Sequence, residues 1–241
     1  MSRVVELIRI VFILGIAFSS SFLFPPVALS ASTGTIVATL VLFAFLLGFF
    51  INRALERKQM ISRCVSLELL HLRHTYHLCE NVQDKNFAKR IIIALTGYQS
   101  AVGRSFLSHA KTGESFRKVS HLIYSYKTKS DKDEILFADL LNTVREVALE
   151  RQQIEQALAN KLSGYSWVVM LTNAISAVVL LLVNRFEPQY SPLGCAFLIS
   201  SILLSLDLLL RTDQLSKSEI KAFETAYRFN IPHRKSQVSK K

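Results

Sequence analysis

Three histidines and a cysteine fall within nine residues, His71, His74, His77 and Cys79, in the run HLRHTYHLCE. Imidazole and thiolate are ligands that transition metals favour, so the first chemistry to weigh is metal binding. On a helix each three-residue step turns 300°, and the three histidines spread over an arc of about 120°. Zinc-binding pairs prefer a separation of four with an acid supplied nearby. Glu68 and Glu80 extend the polar face, but Arg73 and Lys85 lie close by, and a neighbouring cation disfavours a bound one. The stronger reading is a solvated or partner-facing helix surface. The metal site carried by His71, His74 and His77 is the weaker one, and a pH-responsive surface is a third, because histidine titrates near neutrality. Cys64, Cys79 and Cys195 form no disulfide framework and read as small buried apolar residues. There is no glycine-rich phosphate loop, nucleophile elbow or CxxC pair. The expectation is therefore no catalytic residue, no cofactor and no enzyme.

The elements that position these residues follow from the apolar content. The chain has 241 residues, 50% of them hydrophobic, and a formal charge of +11. Apolar residues collect into four runs, at about 10–30, 33–51, 164–183 and 193–210, with charge between them. Each run can carry a helix across a hydrocarbon layer of about 30 Å. The expected fold is all-α: a polytopic membrane protein with four transmembrane helices in two hairpins, 1–52 and 164–210. A helical cytoplasmic segment, 53–163, separates them, and a basic tail, 211–241, follows.

Charge sets the orientation. Residues 53–163 hold 18 basic against 12 acidic side chains, and residues 211–241 hold 8 against 3. The two short connections between paired runs carry no net charge. Because basic flanks stay in the cytoplasm, both termini and the middle segment are placed there, in a multi-pass inner-membrane protein. Arg53, Arg57, Lys58 and Arg211, next to the runs, weigh most. Arg3, Arg9, an apolar core and VALSAS also fit a secretory signal cleaved near Ser30, which would leave three spans. The basic balance follows from topology, and with no aromatic-basic platform nucleic acid is not an expected partner.

The middle segment has no proline and only Gly97, Gly103 and Gly113, which argues for helices. Leu67, Leu70, Tyr76 and Leu78 fall near one stripe, and Ile92, Leu95, Val102 and Phe106 near another. Ile135, Leu136, Leu140, Val144, Val147 and Ile154 make a third. Breaks near Asn81, Gly113 and Ser130 divide it into about four helices, with Ser130 a candidate cap.

This layout resembles the bestrophin-like family of bacterial membrane proteins, over most of residues 35–210. Leu95, Tyr98 and Val102 in the stretch LELLHLRHTYHLCENVQDKNFAKRIIIALTGYQSAVGRSF are similar to the family's pattern on its tyrosine-bearing helix. VREVALERQQIEQALANKLSGYSWVVM resembles its arginine-bearing helix leading to a membrane helix with an early tryptophan, here Trp167. Asp207 in LLSLDL stands at its Leu-Asp. Phe106 replaces a tryptophan often found there, and LLLRTD replaces a proline-containing turn. The resemblance implies an oligomeric, anion-conducting pore, with a constriction formed by Val41, Phe45 and Phe49, four apart on the second helix, and a cytoplasmic mouth formed by Asn52 and Arg53. Its partners would be the lipid bilayer, further copies of the chain and small anions. The competing reading of Phe43, Phe45, Phe49 and Phe50 is packing against lipid or core. The competing function is a membrane-anchored scaffold whose cytoplasmic helices form a docking surface.

Overall fold

A computed structural model describes residues 3–23, 31–127, 131–184 and 191–230. All elements among them are helical. They are α1 (Arg3–Leu23), α2 (Thr33–Asn81), α3 (Lys85–Arg104), a 3-10 segment (Phe106–Thr112), α4 (Gly113–Tyr124), α5 (Asp131–Ala159), α6 (Gly164–Asn184), α7 (Pro192–Asp213) and α8 (Lys217–Phe229). The stretches Thr33–Asn81, Asp133–Asn184 and Pro192–Phe229 each contain a helix long and apolar enough to cross a membrane, whereas Leu7–Leu23 is apolar but shorter. The helix expected over about 10–30 is thus α1, shifted towards the N-terminus, and residues 24–30 lie outside the described part.

The chain divides into two compact units. The first comprises residues 1–56 and 161–215. Its core joins Ala17 of α1, Ile36, Phe43 and Phe50 of α2, Met170, Ala174, Ala177 and Leu181 of α6, and Ile199, Ile202 and Leu209 of α7. Small residues let apolar helices approach closely, and Phe18 meets Phe197 edge to face at 5.7 Å. Several hydroxyl and amide groups of these helices bond to their own backbone. Ser20 and Ser21 both donate to the Ala17 carbonyl and Asn173 to that of Val169. In these geometries they neither bridge helices nor require water. Ser191 caps α7 by accepting from the Gly194 amide at 3.0 Å, with Pro192 in the first turn, where its missing N–H costs nothing. Asp213 accepts from the Leu162 amide at 3.1 Å, and Asp207 pairs with Arg9 and, at 2.9 Å, with Arg211.

The second unit comprises residues 57–160 and 216–241. It takes the C-terminal part of α2 together with α3, the 3-10 segment, α4, α5 and α8. Asp84 caps α3 through the Asn86 and Phe87 amides. Ser216 and Glu219 form a capping box on α8. The stretch read as a tail from 211 onward therefore supplies the end of α7 and all of α8, while residues 231–241 lie outside the description, as does Ser130.

Two stripes differ from expectation. Leu70 is 57% exposed, because the buried face of α2 runs through Ile61, Val65, Glu68, Leu72, Thr75 and Cys79 in alternating steps of four and three. Glu68, read as polar surface, is fully buried there. Ile135 is 71% exposed, since the inward face of α5 begins at Asp133 and continues through Leu140, Val144, Val147 and Ile154.

Candidate functional site

The residues singled out on α2 behave differently. Val41, Phe45 and Phe49 are 62%, 72% and 57% exposed. Steps of four keep them within about 40° of one helical face. Phe43 and Phe50 lie on the opposite side, in the core. Asn52 and Arg53 continue the exposed face by one turn, and Asn52 donates to Glu56 at 2.7 Å. Phe49 meets the neighbouring Phe50 edge to face at 5.6 Å, but the surface that the ladder leaves exposed must meet lipid or another chain.

His71 is half-buried, whereas His74 and His77 are exposed. His77 Nδ1 lies 3.6 Å from a Glu80 oxygen. Among the described residues, no group of three or more His, Cys, Asp or Glu side chains could hold a metal ion. All three cysteines are buried. Burial, together with the Glu150 carboxylate, pushes the Cys64 thiol up to about 11, and burial pushes Cys79 to about 12.

The densest polar chemistry is elsewhere, around Glu68. Its carboxylate accepts from Tyr98 Oη on one oxygen, and on the other from Tyr227 Oη at 2.6 Å, with His109 Nε2 at 3.3 Å. Glu68, Tyr98, His109 and Tyr227 are fully buried. Arg151 completes the cluster. Nη1 donates to Tyr98 Oη at 3.0 Å and Thr112 Oγ1 at 2.8 Å; Nη2 donates to the His109 carbonyl and to Glu155, both at 2.7 Å. The guanidinium also lies 5.4 Å from the Tyr98 ring centroid and 5.8 Å from that of Phe116. Burial, and next the negative charge of Glu68, hold both tyrosine hydroxyls well above their ordinary pKa, so they remain donors. A buried carboxylate is tolerable only with such a shell. The cluster joins α2, α3, the 3-10 segment, α5 and α8. With no exposed atom at its centre, it organises the unit rather than meeting a substrate.

Around the cluster, α8 is held closely to α3. Arg228 Nε donates to the Gly103 carbonyl at 2.7 Å, and Glu224 accepts from the Phe106 amide at 3.2 Å. A Cβ on Gly103 would stand 2.8 Å from Arg228 Cγ and 3.3 Å from the Glu224 carbonyl oxygen. Glycine is thus the residue that lets the two backbones meet. Asn230 donates to the Leu69 carbonyl of α2 at 2.9 Å. Lys58 pairs with Glu219 at 3.3 Å. Burial opposes the Glu219 carboxylate, but the Ser216 amide and hydroxyl, with Lys58, hold its pKa below the usual range.

Sequence reading found Leu95, Tyr98 and Val102, all buried here, but missed Glu68, His109, Arg151 and Tyr227 as one cluster. The signal for Glu68 was its register on the apolar stripe of α2. No comparable signal marks His109.

Comparison with known proteins fits this architecture. The bestrophin-like domain family matches residues 14–214. A point mutant of a bacterial bestrophin homologue from Klebsiella pneumoniae superposes with a TM-score of 0.74 at 13% identity, covering 92% of this chain and 97% of that one. The homologue solved by zinc phasing gives 0.70 at 13%, covering 95% and 97%. A variant described as a membrane protein gives 0.75 at 12%, covering 92% and 97%. At such identities the likeness is one of fold. Among curated proteins none matches. The family match, spanning most of the chain, and the apolar helices lead to one conclusion: this is a membrane protein belonging to the bestrophin-like family.

Proposed function

We propose that copies of this chain assemble in the inner membrane into a passive pore that conducts small anions. Each chain crosses the membrane four times on this reading, with both termini and the middle segment in the cytoplasm, which the basic flanks support. The observation that carries the reading is the exposed ladder of Val41, Phe45 and Phe49, followed by Asn52 and Arg53. One chain encloses no pore, so symmetry must supply it. A ring of such side chains gates by dewetting, and a ring of Arg53 at its cytoplasmic end attracts anions. Family membership supports the reading, bestrophins being anion channels.

Vesicles reconstituted with the protein test it. Phe45→Ala with Phe49→Ala widens and wets the constriction, so anion flux rises. Arg53→Glu reverses charge at the mouth and shifts selectivity towards cations. If neither wild type nor the double-alanine variant carries protein-dependent flux, the pore reading fails and the scaffold reading takes its place.

A further inference from the structure

Two unpartnered faces of the second unit complement each other. The first is an open groove of about 860 Å³ between α3 and α4. Arg90, Arg117, Lys118 and His121 line it, opposed only by Glu114, while Ile93, Ala94 and Leu122 supply apolar surface. Ile93 is exposed, and a Cβ on Gly97 would meet nothing within 4 Å, so the groove is open there. Among the described residues none of the four basic side chains has an ion pair. The second is the outer face of α5. Ile135, Asp139, Asn142, Glu146 and Leu149 are all exposed and recur in steps of four, three, four and three. That spacing is a seam one helix presents to another. Among the described residues its two carboxylates have no ion pair, and the seam itself holds no base. Glu134 and Arg145 flank it.

We propose that the α5 seam of one copy seats in the α3–α4 groove of the next. The occupant is a second copy because the same chain carries both halves: Ile135 and Leu149 on the apolar floor of Ile93, Ala94 and Leu122, and Asp139 and Glu146 against Arg90, Arg117 and Lys118. Two different patches joined in this way make a head-to-tail interface, which closes into a ring when the rotation allows. The inference rests on the pore reading and supplies its assembly contact.

Detergent-solubilised full-length protein tests it by size and by cross-linking, with circular dichroism confirming the fold. Reversing one face, Asp139→Lys with Glu146→Lys or Arg117→Glu with Lys118→Glu, is expected to abolish assembly at low salt. Combining all four restores it. Gly97→Cys with Asn142→Cys gives an oxidation ladder of linked copies, against a background of buried native thiols. A wild-type oligomer that ignores the reversals and yields no ladder overturns this interface and leaves the pore standing. A monomeric wild type overturns both.

Discussion

Glu68 has three hydrogen-bond donors and no exposed surface, and that combination has a pH signature. The hydroxyls of Tyr98 and Tyr227, like the thiols of Cys64 and Cys79, hold their protons to higher pH in the folded chain than in the unfolded one. As pH rises past about 9, the unfolded chain therefore loses protons first, and folding stability falls progressively towards pH 12. Thermal unfolding followed by near-ultraviolet circular dichroism across pH 8–12 measures this. Tyr227→Phe is expected to cost about 1–3 kcal/mol at pH 8, because a buried carboxylate loses a donor, and to make the alkaline decline shallower. A slope unchanged in the variant would show that Tyr227 is not among the groups responsible. In the sequence, Tyr98 was legible from the family pattern. Glu68 was not, since a glutamate beside His71 and Arg73 reads as solvated surface until its register on the Ile61–Cys79 stripe is followed.

At the scale of elements, two glycines of α3 predict opposite outcomes for one substitution. Gly97 faces open space, so Gly97→Ala stabilises the helix by about 0.5–1 kcal/mol. Gly103→Ala gains the same propensity but drives a methyl against Arg228 Cγ and the Glu224 backbone, so α8 must move and the Arg228–Gly103 bond loosens. Amide exchange should quicken across residues 217–229 in Gly103→Ala and stay unchanged in Gly97→Ala. Equal exchange in both would mean that α8 does not depend on this close approach. The helices themselves were largely legible. The breaks at Asn81 and Gly113 correspond to the end of α2 and the start of α4, whereas the first apolar run, expected over about 10–30, meets a helix at Arg3–Leu23. The helix α8 was missed because its sequence, KSEIKAFETAYRF, was read as part of a basic tail, although Ile220, Phe223 and Tyr227 recur in steps of three and four behind the Ser216–Glu219 capping box.

For the molecule as a whole, charge asymmetry predicts the topology. Cysteines introduced at Lys111 and Lys235 should resist an impermeant maleimide in intact cells, whereas those at Ser32 and Gln189 should label. Labelling at Lys111 from outside would reverse the orientation, with Arg53 then at an external mouth. All three native thiols are buried, and burial holds those of Cys64 and Cys79 protonated, which keeps the background low. Assembly was expected from the sequence, but the proposed contact was not legible there, because a groove made by two helices and a seam on a third become visible only once α3, α4 and α5 are placed. Synthesis runs in one direction, however, and the shell of Glu68 is completed by Tyr227, 159 residues later. At about 5–20 residues per second, the ribosome leaves that carboxylate short of a donor for roughly 8–32 s. Until then the shell of Glu68 is incomplete, and α8, the last of the described helices to emerge, closes it.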